Sequence, residues 1–276
     1  MSSTSTTPSP RDFVINCTTL LSELPVLERA QAARDAGFER VEFWWPFDSA
    51  TPSQQEIDDF VGSIESAGVQ LVGLNFFAGD MPGGDRGIVS SIGREEEFAA
   101  NAHVVAALGE RLGCRAFNAL YGLRIEGQDA AAQDETAVAN LALAARTVAA
   151  VGGTVLLEPV SGADAYPLKT AADALAIIDR VRAEGAENIA LLADFYHLAV
   201  NGDDVAAVIE EHAAEFGHIQ IADSPGRGAP GTGDLPLDQW IQRSRTLGYE
   251  GDVALEYKQD RATAFDWLSQ PAGTNS

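Results

Sequence analysis

Val138-Ala-Asn-Leu141-Ala-Leu-Ala-Ala145-Arg-Thr-Val148-Ala-Ala-Val-Gly152-Gly-Thr154-Val-Leu-Leu-Glu158 changes its period partway along. Val138, Leu141, Ala145 and Val148 recur at steps of three and four, the stripe of an amphipathic helix. Gly152 stands where a left-handed helix cap is wanted. The run from Thr154 is then apolar throughout, as a strand buried on both faces is, and closes on a carboxylate. Helix, glycine and strand together form the unit of a parallel sheet. Working outward, the same unit returns. Phe98, Ala102, Val105, Leu108 and Leu112 form a stripe ending at Gly113 before Arg115–Asn118. Gly37 precedes Arg40–Phe43, Gly68 precedes Gln70–Asn75, and Gly248 precedes Asp252–Glu256. With Phe13–Cys17, Ile189–Asp194 and His218–Ala222, the strands number eight, seven of them joined by helical crossovers. That count predicts an α/β fold, a closed (β/α)8 barrel in one domain. A doubly wound open sheet uses the same alternation with fewer strands.

The barrel is expected over residues 12–268, with tails at 1–11 and 269–276. The opening Ser/Thr/Pro-rich stretch has no apolar run, so it predicts a disordered tail, neither signal peptide nor anchor. No segment approaches the length of a membrane span. The 276 residues carry 18 Lys+Arg against 41 Asp+Glu, a formal net charge of −23. Such a surface repels phosphate backbones and anionic lipid, which argues against nucleic-acid and membrane partners. The two cysteines, Cys17 and Cys114, sit in apolar runs and read as reduced packing residues of a cytoplasmic protein. Trp267 and Phe265 are expected to pack on the barrel or on a second subunit of a homo-oligomer.

The long irregular stretches are 44–53, 76–93, 121–130, 159–169 and 223–237, and all follow the C-terminal ends of strands. The reverse connections are short, so the working face is the one where barrels place their sites. Four successive strands deliver a metal-capable residue there: Glu158, Asp194, Gln220 and Glu256. Three converging carboxylates repel unless a cation neutralises them, and an oxygen-only set selects one hard divalent ion, Mg²⁺ or Mn²⁺. His197, just past Asp194, is placed to bind a substrate oxygen or to support a ligand. His103 and His212 lie in helical stretches as surface or packing residues, while His218 opens a strand and fits either role. Gly226-Arg-Gly228-Ala-Pro-Gly231 imitates a dinucleotide fingerprint, yet Pro230 and Pro236 follow where a helix should open, so no nucleotide cofactor is expected. That loop offers Arg227 to an anionic substrate group instead. Gly79–Gly87 lacks the Lys-Ser/Thr of a phosphate loop and carries a second arginine, Arg86, on a mobile loop.

Several segments resemble the hydroxypyruvate isomerase family of the xylose-isomerase-like TIM barrels. They are Val41-Glu42-Phe43-Trp-Trp-Pro46, Leu74-Asn75-Phe-Phe-Ala-Gly79-Asp80 with Gly84-Asp-Arg86-Gly87, Leu157-Glu158-Pro159, Asp194-Phe-Tyr-His197, His218-Ile-Gln220-Ile-Ala-Asp223-Ser-Pro-Gly-Arg227 with Pro230-Gly-Thr-Gly233, and Leu255-Glu256-Tyr-Lys258. The resemblance runs from about Phe13 to Lys258. It implies that Glu158, Asp194, Gln220 and Glu256 bind one divalent metal and that Glu158 and Glu256 are the acid/base pair. It also implies that His197 and Arg227 lie near the substrate. The implied enzyme is an isomerase interconverting aldose and ketose forms, with hydroxypyruvate and tartronate semialdehyde exchanging through an enediolate. The substrate carboxylate would meet Arg227 or Arg86. Phe195, Leu198-Ala199 and Met81 depart from the family's usual residues and alter the pocket, leaving the ligand set intact. A 3-oxo-tetronate isomerase or ketose 3-epimerase shares this scaffold, although such epimerases usually carry His where Gln220 stands. A DNA-repair endonuclease on it would need a His-rich zinc site and a basic face. A carbohydrate-binding barrel without catalysis would have lost a ligand or a glutamate, and none is missing.

Overall fold

A computed structural model describes residues 8–269. Eight parallel strands close in sequence order: β1 (Val14–Asn16), β2 (Arg40–Phe43), β3 (Gln70–Asn75), β4 (Ala116–Asn118), β5 (Thr154–Leu157), β6 (Ile189–Asp194), β7 (Phe216–Ile221) and β8 (Val253–Leu255). β8 returns to β1 with Val14 opposite Ala254 and Ile15 opposite Leu255, which excludes the open sheet. The predicted strands are all present. The largest shift in a boundary is at β7, which begins at Phe216, so His218 lies within the strand.

Around the barrel, among the described residues, run α1 (Cys17–Leu20), α2 (Val26–Asp35), α3 (Gln54–Ala67), α4 (Glu95–Leu112), α5 (Ala130–Ala149), α6 (Ala171–Ala183), α7 (Phe195–Val200), α8 (Val205–His212) and α9 (Leu237–Thr246). Their limits are chemical. Ser53 and Glu56 exchange hydrogen bonds as a capping box on α3, and Thr170 and Asp173 do so on α6. The α5 stripe of Val138, Leu141, Ala145 and Val148 is buried as its period requires. Phe117 of β4 shows how closely helix and strand approach. A Cβ on Gly109 of α4 would come within 2.6 Å of its ring, and one on Gly153 within 2.5 Å.

In this architecture the outer face of each strand is dry beneath its helix, and Phe43 accordingly packs edge-on against Phe60 of α3. The polar residues of β1, β2 and β7 turn inward. Asn16, Glu42, His218 and Gln220 meet inside the barrel, each at most 4% exposed.

Cys17 and Cys114 are buried free thiols. Phe265 packs on Phe38 and Trp267 on Phe13, so the last described segment folds onto the barrel. It is a turn followed by a 3₁₀ helix, Asp266–Ser269. The N-terminal tail expected over 1–11 falls mostly outside the described residues, while Pro10–Asp12 form a 3₁₀ turn. Of the tail expected at 269–276, only the backbone of Ser269 is described. No described helix is long and apolar enough to cross a membrane.

Candidate active site

The four strand ends meet at the C-terminal mouth. Glu158 follows β5, Asp194 closes β6 opposite Gln220 of β7, and Glu256 follows β8. All four are buried, none more than 5% exposed. Their neighbours hold some oxygens and leave others. Asp194 caps α7, its Oδ1 accepting from the backbone of Tyr196 at 2.8 Å and of His197 at 3.1 Å. The cap leaves Oδ2 and swings the His197 ring over the site. Glu158 Oε2 accepts from Asn118 Nδ2 at 2.7 Å, leaving Oε1. Glu256 Oε1 accepts from Trp44 Nε1 at 2.8 Å, while Oε2 lies 3.3 Å from Arg227 Nη2. Gln220 gives its Nε2 to Glu42, and its Oε1 is buried without a hydrogen-bond partner among the described residues.

The electrostatics follow from that crowding. Burial pushes the Glu158 carboxyl well above the usual range, and the charges of Glu256 and Asp194 push it further, against Asn118 and Arg227. Burial likewise lifts Glu256 to about 8, eased by Arg227 and Trp44 and raised by Asp194 and Glu42. Glu42 goes the other way. Burial alone would raise it, but the charge and hydrogen bond of His218, with the amides of Gln220 and Asn16, hold it below the usual carboxylate range. Arg227 is the cation of the cluster, and the neighbouring carboxylates keep its guanidinium charged despite burial. It takes a left-handed backbone, φ 56°, and lays its guanidinium 5.4 Å from the Tyr196 ring centre.

Glu158, Asp194 and His197 offer potential ligand atoms within 4.8 Å of one another. The hydrogen bonding of His197 argues against its being a ligand. The Ser161 backbone N–H, which can only donate, lies 3.0 Å from Nδ1, and the Ser161 hydroxyl lies 2.7 Å from it. Nδ1 is the acceptor, so Nε2 carries the proton, 3.7 Å from Asp194 Oδ2 and 3.9 Å from Glu158 Oε1. Burial pushes this imidazole down to about 4, with Arg227 reinforcing and Asp194 opposing, so it is neutral at pH 7. A neutral ring with a proton on Nε2 donates to an oxygen and cannot hold a cation there. The free oxygens of Glu158 and Asp194 and the orphaned amide oxygen of Gln220, with Glu256 Oε2 held by Arg227 alone, are an oxygen set that fits a hard divalent ion.

Arg86 is not drawn into this cluster. Its Nη1 donates to the backbone oxygens of Met81 and Asp85, bracing its own loop. His103 is exposed and His212 pairs with Glu215 at the surface, as expected. His218 is resolved as the buried partner of Glu42. The sequence reading gave no role to Glu42, Asn118, Trp44 or Ser161. For Glu42, a charged residue between Val41 and Phe43 in a barrel strand was the available signal. A cleft of about 530 Å³, walled by Trp44, Trp45, Phe47, Phe77 and Met81, reaches the site at Trp44, the donor to Glu256, and none of the four strand-end residues lines it.

The family model described as Xylose isomerase-like TIM barrel matches residues 30–274. A Streptomyces coelicolor protein named, provisionally, as a hydroxypyruvate isomerase is 50% identical over 96% of this chain and 97% of its own. The Escherichia coli hydroxypyruvate isomerase is 31% identical, covering 91% of this chain and 95% of its own. A 2-oxo-tetronate isomerase of Cupriavidus necator is 31% identical, covering 95% and 98%. Among solved structures, one from Brucella melitensis described as a family 2 AP endonuclease superposes with a TM-score of 0.83 at 31% identity, covering 95% and 98%.

Proposed function

The chain belongs to the hydroxypyruvate isomerase family of xylose isomerase-like TIM barrels, and on that premise we propose that it interconverts hydroxypyruvate and tartronate semialdehyde. The observation that carries this reading is the pair of buried glutamates, Glu158 and Glu256, flanking Asp194 and the unpaired oxygen of Gln220. Those four residues would hold one Mg²⁺ or Mn²⁺, which would supply a Lewis acid for removal of the substrate C–H proton.

The rest is work for side chains. Isomerisation takes a proton from C3 of hydroxypyruvate and returns one to C2, passing through an enediolate, while the hydroxyl proton crosses between the oxygens. Glu158 and Glu256 carry these protons, and both have carboxyls lifted by burial toward the working pH. His197 donates Nε2–H to a substrate oxygen. Arg227 uses Nε and Nη2 on Glu256, which leaves Nη1 for the substrate carboxylate. Trp44 and Asn118 fix the two glutamates from either side.

An endonuclease reading is disfavoured by the net charge of −23 and by the single histidine beside the carboxylates among the described residues. A four-carbon oxo-tetronate is the second reading, because the Cupriavidus necator relative named for that substrate is as similar to this chain as the Escherichia coli hydroxypyruvate isomerase, both at 31% identity. The test is a panel of short hydroxy-oxo acids and ketoses, assayed with Mg²⁺ or Mn²⁺ and after EDTA. Hydroxypyruvate should turn over fastest, and only with the cation. Full activity of metal-stripped protein would overturn the metal-dependent reading.

A further inference from the structure

Glu42 and Gln220 come from β2 and β7, which are not neighbours in the sheet, and meet in the barrel interior. The Glu42 carboxylate accepts three hydrogen bonds. Oε1 takes Asn16 Nδ2 at 2.8 Å and Gln220 Nε2 at 2.7 Å, and Oε2 takes His218 Nε2 at 2.7 Å. Asn16 is itself fixed, since its Oδ1 caps α1 through Thr18 and Thr19. Room for the carboxylate is made by Gly73 of β3, where a Cβ would lie 3.0 Å from Glu42 Cβ and 3.2 Å from Oε2.

The two ends of a glutamine amide are alike in shape and opposite in chemistry, one donating and one accepting. A buried carboxylate accepts only, so it dictates which end faces it. We propose that Glu42 is a positioning residue: it claims the nitrogen of Gln220 and thereby commits the buried, unpaired Oε1 to a divalent cation. This rests on the reading of Gln220 as a cation ligand. Partners that orient a metal ligand cost about 10–100-fold in affinity when lost. The bland alternative is a buried Glu42–His218 pair that serves only the stability of the barrel.

The experiment titrates Mn²⁺ into purified protein and reads free Mn²⁺ by EPR, with the folded fraction and Tm measured in EDTA. Glu42→Met keeps the bulk and removes the acceptor, so Mn²⁺ affinity should fall about 10–100-fold in a folded chain. Glu42→Gln should largely rescue it, because its amide oxygen still accepts from Gln220 while its amide nitrogen faces a His218 Nε2 that serves as acceptor. The deciding variant is the double E42M/Q220E. A carboxylate presents oxygen at both ends, so orientation no longer matters and Mn²⁺ should bind at least as tightly as in wild type. The proposal is overturned if E42M binds Mn²⁺ like wild type, if the double variant is as weak as E42M, or if E42M does not fold. Wild-type protein that binds no Mn²⁺ overturns the cation reading as well, whatever the variants do.

Discussion

Under the proposed function, Glu158 and Glu256 differ from Asp194 in what would remain once a cation was held. Asp194 spends one oxygen on the α7 cap, whereas each glutamate has one oxygen steadied by a side-chain donor and a carboxyl lifted by burial. Replacing either with glutamine leaves an amide oxygen but no proton carrier. E158Q and E256Q should therefore each lose at least about a hundredfold in kcat, and exchange of the substrate C–H proton with D₂O should be suppressed alongside. Turnover near the parent rate would reduce that glutamate to a ligand. R227A should raise KM for hydroxypyruvate far more than for a neutral ketose, by about 1.5–3 kcal/mol or roughly ten- to hundredfold. Equal effects on both substrates would mean that the loop only shapes the pocket. The strand-end carboxylates were legible because each closes an apolar run. Glu42 was not, because Arg40-Val-Glu-Phe43 alternates without saying which face is wet, and here Phe43 turns out to α3 while Glu42 turns into the barrel.

At the scale of elements, one glycine crowded by a ring and one open to space make a sharper test than a scan. Gly153 sits so close to Phe117 and Val148 that G153A must displace a buried ring, at a cost of about 1–3 kcal/mol. Gly62, within α3, has nothing within 4 Å of its would-be Cβ. G62A should stabilise by about 0.5–1 kcal/mol through helix propensity. Thermal melts of the two variants against wild type should move in opposite directions, and a shared sign would mean that the helix packing differs from that described. Strand positions were legible to within two residues because buried parallel strands are short unbroken apolar runs. Phe265 and Trp267 read as rings that must be covered, but their partners Phe38 and Phe13 lie at the other end of the chain, where no local pattern points to them.

For the whole molecule, the buried site ties stability to pH. The Glu256 carboxyl, lifted to about 8, keeps its proton in the folded state after the unfolded chain has lost it. Stability therefore falls as pH rises between the ordinary carboxylate range and about 8, and Glu158 acts in the same direction. His197, lowered to about 4, acts oppositely below the ordinary imidazole range, where the unfolded chain takes up the proton that the folded ring refuses. Above about 6.5 only the glutamates remain, so the Tm of metal-free protein should drop from pH 6.5 to pH 8. Mn²⁺ should restore most at the upper end, and a flat or rising metal-free profile would contradict the crowding described. The barrel as a whole was legible in the count of eight apolar runs alternating with helical stripes, and its working face in the asymmetry between long and short connections, properties of the chain's rhythm more than of any residue. Its closure has a consequence for synthesis. β1 is the first strand to leave the ribosome and pairs with β8, the last. Until then one side of Val14–Asn16 has no partner, and a nascent or truncated chain carries an unprotected adhesive edge. Ribosome-stalled chains ending before Val253 should need chaperone shielding that the released protein does not.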